Sequence, residues 1–229
     1  MISIIIPTYN EARNIIKLLE EIKKNLRKKS YEVIIVDDNS TDHTADIALS
    51  LKKIYPVKII KRKAKLGLSS AVIDGLKIAK GNIVGVMDAD FSHPPGLIQR
   101  LVQTIEKQDF DLVIGSRKIK GGSVEVWPFH RRLMSRFASA LAIPLTKVKD
   151  PMSGFFFFKK EIIKDVKLKP LGYKILLEIL VKGRQKKIKE IPYMFRNRTF
   201  GKSKIGSKVY LDYLRHIFRL YKYKITKKG

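Results

Sequence analysis

Short apolar runs alternate with longer helical patterns over the first 115 residues. Each run has the length of a strand and lacks the polar alternation of a half-exposed sheet, which is typical of strands buried on both faces. The runs are Ile2–Ile6, Tyr31–Val36, Val57–Ile60, Ile83–Met87 and Asp111–Ile114. Since parallel strands are joined through helices by right-handed crossovers, the pattern predicts an α/β domain with a mostly parallel central sheet flanked by helices.

Capping residues indicate where the intervening helices begin and end. Ser40 or Thr41 is expected to cap the second helix, because a hydroxyl can accept a hydrogen bond from a free backbone N–H. Gly81 is expected to close the third helix, over Ser69–Lys80. Pro94–Pro95 is expected to open the fourth. Three more helices are predicted in the second half, at Arg131–Leu141, Ile175–Lys182 and Ile205–Tyr223.

Polar residues follow three of the predicted strands directly. The segments are Pro7–Glu11, Val36–Asp42 and Met87–Asp90. Carboxyl ends of parallel strands meet at one edge of the sheet, where ligands of such folds bind. Two carboxylates two residues apart, Asp88 and Asp90, suit a hard divalent cation that bridges to phosphate oxygens. The alternative is that these acidic residues cap helices, and it applies most readily to the Asp37–Asp42 stretch.

Basic charge is concentrated in the second half of the chain. The net charge is +27 overall, of which +4 falls in residues 1–116 and +23 in residues 117–229. A surface of this kind attracts nucleic acid, an anionic membrane or a phosphorylated substrate. We expect neither a signal peptide nor a transmembrane helix, because the longest apolar uncharged stretch, Phe137–Thr146, is far shorter than the roughly 20 residues a span requires.

The motifs, taken in order, resemble family 2 glycosyltransferases of the GT-A (nucleotide-diphospho-sugar transferase) fold. The segments that carry this resemblance are the strand-one signature, VDDNSTD, Leu66–Gly81 and DAD. Later stretches narrow it to the polyprenol-phosphate, or dolichol-phosphate, mannose synthases: GSR at Gly115–Arg117, DPMSGFFFF at Asp150–Phe158, GYKILLEIL at Gly172–Leu180 and NRTFGKSK at Asn197–Lys204. The resemblance implies transfer of mannose from GDP-mannose to a polyprenyl phosphate, with Mg²⁺ or Mn²⁺ as cofactor.

The same resemblance implies roles for individual donor-site residues. The base and ribose would be held by Pro7, Tyr9, Glu11, Val36 and Asp38, and the diphosphate and metal would meet Asp88, Ala89 and Asp90. Asp90 would be the main metal ligand, and Ser92 stands where some relatives have a glutamine ligand. Lys174, Arg198 and Lys204 would bind the donor phosphates.

The acceptor phosphate would be held by Arg117, Arg131 and Ser135, so that Asp90 and Arg117 are the predicted catalytic residues. Because a phosphate monoester is already anionic at neutral pH, attack needs positioning rather than a general base. Asp150 is therefore expected to organise the site through a salt bridge. Phe155–Phe158 are expected in the core, and His93 and His130 are expected to be structural or surface residues.

These assignments divide the predicted single domain into three parts. Residues 1–116 would bind the nucleotide sugar, residues 117–204 the acceptor, and residues 205–229 would form a basic amphipathic helix. Its apolar stripe includes Tyr213, Ile217 and Leu220, and its basic face includes Arg215 and Arg219. This pattern is typical of a helix at the cytoplasmic face of an anionic membrane, either alone or with a membrane-anchor subunit, or of a helix packed on the domain.

Other readings of the sequence remain open at this point. A related transferase could use another donor, such as UDP-glucose. The basic half would also suit a nucleic-acid-binding protein, but no nucleic-acid module is recognisable and we expect no nucleic-acid partner. A membrane-docking protein without catalytic activity is the third reading, and the Asp88/Asp90 pair argues against it.

Overall fold

The computed structural model describes residues 1–125, 129–169, 171–197 and 207–227, apart from the side chains of 129–132 and 207–210. A seven-stranded sheet forms its centre, in the order β3-β2-β1-β4-β7-β5-β8. Its strands are β1 (Ile2–Thr8), β2 (Tyr31–Asp37), β3 (Val57–Lys61), β4 (Ile83–Val86), β5 (Leu112–Ser116), β7 (Phe156–Lys159) and β8 (Ile188–Pro192). Only β7 runs antiparallel to its neighbours in this sheet, so the predicted mostly parallel α/β architecture is confirmed.

Helices cover both faces of the sheet. They are α1 (Ala12–Leu26), α2 (Thr44–Ser50), α3 (Leu68–Ile78), α4 (Ile98–Gln108), α5 (Phe129–Ala142), α6 (Ile175–Lys182) and α7 (Ser207–Thr226). One core lies between the sheet and α1 and α4, and a second between the sheet and α3 and α6. The four consecutive phenylalanines of the chain contribute to both cores. Phe155 and Phe157 belong to the first core, and Phe156 and Phe158 belong to the second. The prediction that they are core residues is confirmed.

Several of the predicted helix boundaries are wrong. The fourth helix, α4, begins at Ile98, and Pro94–Pro95 opens the 3-10 turn Pro95–Leu97 that precedes it. The second helix begins at Thr44, and neither Ser40 nor Thr41 caps it, because both are hydrogen-bonded to the β1 and β2 ends instead. The third helix ends at Ile78 rather than Lys80. Gly81 is nevertheless needed next to it, because a Cβ atom there would lie 2.5 Å from the backbone nitrogen of Ser3.

The terminal helix packs on the domain through the stripe predicted for it. Ile217 and Leu220 are buried in a third cluster with Ala142, Leu145 and other apolar residues of the domain. The Tyr213 hydroxyl donates to the Ala138 carbonyl of α5, and the Tyr221 hydroxyl donates to the Leu141 carbonyl over 2.9 Å. The predicted stripe therefore attaches α7 to α5 and α6. A short parallel pair, β6 (Ser123–Val124) and β9 (Met194–Phe195), completes the second half.

Candidate active site

The three polar strand ends meet at one edge of the sheet, as the sequence predicts. At the ends of β1 and β2, the Thr8 hydroxyl donates to Asp37 over 2.9 Å, and the Asp38 N–H donates to the Thr8 carbonyl over 2.9 Å. Asp37 also accepts hydrogen bonds from the Ser40 N–H and hydroxyl. Asp37 is thus occupied by bonds that fix the two strand ends to one another, and these bonds do not cap a helix, since α1 begins at Ala12 and α2 at Thr44.

Asp42 is a helix cap. Its carboxylate accepts the backbone N–H of Ala12, at the start of α1, over 3.0 Å, and that of Thr44, at the start of α2, over 3.1 Å. Burial tends to raise the pKa of Asp42, but its hydrogen bonds to Thr44 and Ala12 outweigh that effect and lower the pKa. Beside it, Glu11 accepts the side-chain amide of Asn14 over 2.7 Å.

A buried ion pair holds Asp38 at the end of β2. Arg62 donates to the Asp38 carboxylate over 2.7 Å, and the Gly67 N–H donates to its second oxygen over 2.8 Å. Arg62 also bonds the Ser70 hydroxyl over 2.8 Å, so the loop between β3 and α3 is tied to the site. Arg62 was not among the residues predicted from the sequence. The available signal was a charged residue two positions after a predicted strand, at the same sheet edge as the acidic motifs.

The remaining donor-site residues of the first two strands differ in what they can offer. Tyr9 is half-buried, and the Lys65 ammonium lies 3.9 Å from its ring centroid. Pro7 is half-buried at the end of β1. The Val36 side chain is wholly buried in the core, which limits any contact with a nucleotide to its main chain.

The Asp88–Ser92 turn follows β4 and contains both predicted metal-binding carboxylates. Asp90 is buried, whereas Asp88 remains partly exposed. The Ser92 N–H donates to Asp90 over 3.1 Å, and the Ser92 hydroxyl oxygen is buried without a hydrogen-bond partner. Phe91 between them has φ +60°, which turns the chain back on itself. An unsatisfied buried oxygen beside two carboxylates fits a hard cation, which prefers oxygen ligands.

Arg117 and Asp150 form a bidentate, buried ion pair on the second-half side of the edge. Arg117 donates to the two Asp150 carboxylate oxygens from its side chain over 2.8 Å each, and its backbone N–H adds a third bond over 3.0 Å. Burial tends to raise the pKa of Asp150, but the Arg117 hydrogen bonds and charge outweigh it and hold the pKa below its ordinary value. The expectation that Asp150 organises the site through a salt bridge agrees with this geometry.

Two lysines lie close to this ion pair. Lys174 precedes α6, its ammonium lies 3.4 Å from the Met152 carbonyl, and burial followed by the charge of Arg117 lowers its pKa to about 8. Lys118 donates to the Ser139 hydroxyl and, over 3.5 Å, to the Ser135 carbonyl, which joins the loop after β5 to α5. Burial lowers the pKa of Lys118 as well.

Several predicted site residues cannot be placed at this edge. Arg131 belongs to α5, but its side chain is not among those described, and Arg198 and Lys204 lie outside the described residues. In the described part of the chain, no group of three or more His, Cys, Asp and Glu side chains could hold a metal ion. The carboxylates of Asp88 and Asp90 would therefore share a cation with other oxygen donors.

Comparison with known proteins gives a consistent result. The family model for glycosyl transferase family 2 matches residues 3–167. A dolichol-phosphate mannosyltransferase from Pyrococcus furiosus is 48% identical over 97% of this chain, which spans 64% of the length of that protein. Another from Saccharomyces cerevisiae is 37% identical over 97% of this chain and 87% of that protein.

Solved structures confirm the GT-A fold. Glucosyl-3-phosphoglycerate synthase from Mycobacterium tuberculosis, in complex with phosphoglyceric acid, has a TM-score of 0.68 with 19% identity, covering 96% of this chain and 79% of that one. A structure of the same enzyme with Mn²⁺, UDP-glucose and phosphoglyceric acid has a TM-score of 0.63 with 18% identity, covering 98% and 79%. Mannosyl-3-phosphoglycerate synthase from Rubrobacter xylanophilus has a TM-score of 0.67 with 15% identity, covering 100% and 75%.

Proposed function

The chain belongs to glycosyl transferase family 2, and from this we propose that it transfers mannose from GDP-mannose to dolichyl or another polyprenyl phosphate. The observation that carries the proposal is the 37–48% identity to dolichol-phosphate mannosyltransferases over nearly the whole chain. Residues 1–116 bind the donor, residues 117–204 the acceptor, and residues 205–229 the membrane.

The base and ribose of the donor bind along the ends of β1 and β2. Tyr9 and Glu11 contribute side chains, and Asp38 contributes a carboxylate. Pro7 lines the nucleotide site, and Val36 contacts the nucleotide through its main chain. The ion pair with Arg62 supports this role, because it fixes the Asp38 carboxylate before a nucleotide arrives. A carboxylate that is already held in position loses little conformational entropy when the nucleotide binds.

The donor diphosphate lies against the Asp88–Ser92 turn. Asp90, Asp88 and the unsatisfied Ser92 hydroxyl would hold Mg²⁺ or Mn²⁺, and Ala89 would line the site with its main chain. A divalent cation bound there supplies positive charge that stabilises the departing diphosphate. The half-buried Lys174 adds charge from the second half, and we assign Arg198 and Lys204 to the same phosphates.

The acceptor phosphate binds to Arg117, Arg131 and Ser135. Asp150 is engaged by Arg117 through both carboxylate oxygens, and its lowered pKa makes it a poor proton acceptor. A phosphate monoester with a second pKa of about 6 is already anionic at neutral pH, so no general base is needed. In-line attack of a phosphate oxygen on the anomeric carbon expels GDP and inverts that carbon.

Release of GDP from GDP-mannose, measured with and without dolichyl phosphate, tests this proposal. We expect release that requires both the lipid phosphate and Mg²⁺ or Mn²⁺, with dolichyl phosphate mannose as the product. Preferential use of UDP-glucose under the same conditions would identify a related transferase with another donor. Absence of release with any nucleotide sugar, together with tight binding of nucleic acid, would contradict the proposal.

We assign membrane binding to a second stripe of α7, which flanks the one that packs on the domain. Its apolar members are exposed, and they are Leu211, Leu214, Phe218 and Ile225. Phe218 is the most exposed of them, at 74%. The exposed side chains of Arg215 and Lys222 adjoin this stripe on the helix. α5, which contacts α7, also exposes Leu133, Met134 and Phe137. No helix in the described ranges has both the length and the apolar character to cross a membrane.

We expect the double variant Leu214→Gln/Phe218→Gln to lose flotation with anionic liposomes. The apolar stripe enters the interface, and each flanking basic residue adds about 1 kcal/mol. The matched control is Leu49→Gln/Ile54→Gln, since these exposed apolar residues lie outside α5 and α7, in and after α2. Truncation before α7 is a poorer test because it would remove Ile217 and Leu220 and expose the rest of the cluster that they complete. Equal flotation of both double variants would rule out this surface.

A further inference from the structure

His93 lies directly behind the predicted metal-binding turn and is buried. Its Nδ1 atom accepts the backbone N–H of Asp88 over 2.9 Å. Asp88 is the second residue after β4, which ends at Val86, and the Met87 N–H before it still donates to the Ile5 carbonyl of β1. At Asp88 the histidine ring accepts the N–H in place of a neighbouring strand. The reversal of the chain at Phe91, with φ +60°, brings the ring back to Asp88.

The same hydrogen bond fixes the tautomer of the ring. An Nδ1 atom that accepts a hydrogen bond carries no proton, so the proton of the neutral imidazole is on Nε2. Nε2 lies 3.9 Å from the nearer Asp88 carboxylate oxygen. The ring therefore presents its acceptor to the Asp88 main chain and its N–H toward the Asp88 side chain.

Residues of the second half hold the ring in this position. Phe155 stacks on it with centroids 5.1 Å apart and an interplanar angle of 9°, and Tyr193 and Phe195 meet it edge-on at 5.9 Å. Gly154 leaves room for the His93 ring because it has no side chain. A Cβ atom there would lie 3.0 Å from the imidazole Cε1 and 3.7 Å from an Asp88 carboxylate oxygen. Gly154 and Phe155 of the Asp150–Phe158 motif thus pack against the turn after β4.

We propose that His93 is a positioning residue, which fixes the Asp88–Asp90 turn so that its carboxylates can bind the cation and diphosphate of the nucleotide. His93 also links the turn to the second half of the domain, because Phe155 and Gly154 pack against its ring. The inference rests on the proposed function only in taking the ligand to be a nucleoside diphosphate with a divalent cation. Groups that orient metal ligands from behind typically affect metal affinity by about ten- to a hundredfold.

Two substitutions separate the hydrogen bond from the packing. His93→Phe keeps an aromatic ring against Phe155 but removes the acceptor for the Asp88 N–H. His93→Asn loses the ring but presents a carbonyl oxygen at the same number of bonds from the main chain as Nδ1. The matched control is Phe156→Leu, because Phe156 is a buried aromatic residue next along the same motif but faces the opposite core.

The measurement is the affinity for GDP with and without Mn²⁺, by calorimetry, together with the melting temperature of each variant. We expect His93→Phe to lose about ten- to a hundredfold in Mn²⁺-dependent GDP affinity, and His93→Asn to stay within about threefold of wild type. Phe156→Leu should melt earlier with unchanged affinity. If the GDP affinity of all three variants follows their melting temperatures, or if His93→Phe binds as wild type does, the positioning role is overturned.

Nucleotide binding also separates this inference from the proposed sugar transfer. Wild-type protein that binds GDP with Mn²⁺ but transfers no mannose to dolichyl phosphate would contradict the proposed function, while the His93 comparison would still be decided. Nitrogen NMR of the imidazole gives an independent check. His93→Asn identifies the His93 signals by their loss, and a wild-type spectrum with the proton on Nδ1 would overturn the assignment.

Discussion

Replacement of Asp90 with alanine is expected to lower mannose transfer by about a thousandfold while the fold stays intact. The reason is that a bound cation contributes several kcal/mol to stabilisation of the departing diphosphate, and each 1.36 kcal/mol is about tenfold in rate. Asp90 is buried in a turn after β4 and accepts the Ser92 N–H over 3.1 Å. Loss of the bond to Ser92 should cost about 1 kcal/mol of folding free energy.

Activity, circular dichroism and calorimetry together decide this prediction. The matched control is Asp46→Ala, because Asp46 is an exposed aspartate of α2 that pairs only with the surface residues His43 and Lys61 among its described contacts. We expect the control to transfer mannose at the wild-type rate. Turnover of Asp90→Ala within about tenfold of wild type, in Mg²⁺ or Mn²⁺, would show that the cation does not depend on this carboxylate.

The convergence of the polar motifs was predictable because it follows from topology alone. Once the apolar runs are assigned to parallel strands, their carboxyl ends must share an edge, and Asp38 and Asp88 follow two of those ends. The role of each carboxylate was harder to predict. Asp37 and Asp38 are neighbours in the sequence, yet one joins two strand ends and the other pairs with Arg62, 24 positions away along the chain.

The direction of a strand and the face that a helix turns to the domain could not be predicted from the sequence, because both depend on the neighbouring elements. The run Phe155–Phe158 was predicted only as core, and nothing in it indicates that β7 pairs antiparallel with both β4 and β5. β8, at Ile188–Pro192, was not predicted because of its charged residues, Lys189 and Glu190, which an edge strand can expose. The terminal helix carries two apolar stripes, and which one faces the domain depends on the surface offered by α5 and α6.

Replacement of Arg117 with alanine is expected to destabilise the protein by about 3–5 kcal/mol, in addition to any effect on the acceptor. The cause is the Asp150 carboxylate, which is wholly buried and would lose the two side-chain hydrogen bonds and the charge that compensate it. A single substitution therefore cannot separate two effects on activity, namely the loss of a group that binds the acceptor phosphate and the destabilisation of the folded site. The terminal nitrogen–oxygen distance of 2.8 Å makes a strong coupling between the two residues the expected result.

The double variant Arg117→Met/Asp150→Asn separates these effects because it removes both charges and keeps the volumes similar. Neutral replacement of a buried ion pair costs far less than removal of one partner, so most of the melting temperature should return. If Arg117 also binds the acceptor phosphate, the Michaelis constant for dolichyl phosphate should stay raised in the double variant while GDP affinity is normal. Recovery of acceptor use along with stability would instead make Arg117 a purely structural residue.

The pH dependence of stability provides a second measurement of the same pair. The folded pKa of Asp150 lies below its ordinary value of 3.8 because of Arg117. The folded state therefore binds fewer protons at this carboxylate than the unfolded state, and the stabilisation is fully present above 3.8 and is lost as the pH falls through the lower folded value. Denaturant titrations from pH 7 down to pH 3 should show the advantage of wild type over the double variant shrinking only at the acidic end. An advantage that is constant over the whole range would mean that the ionised carboxylate of Asp150 contributes nothing to it.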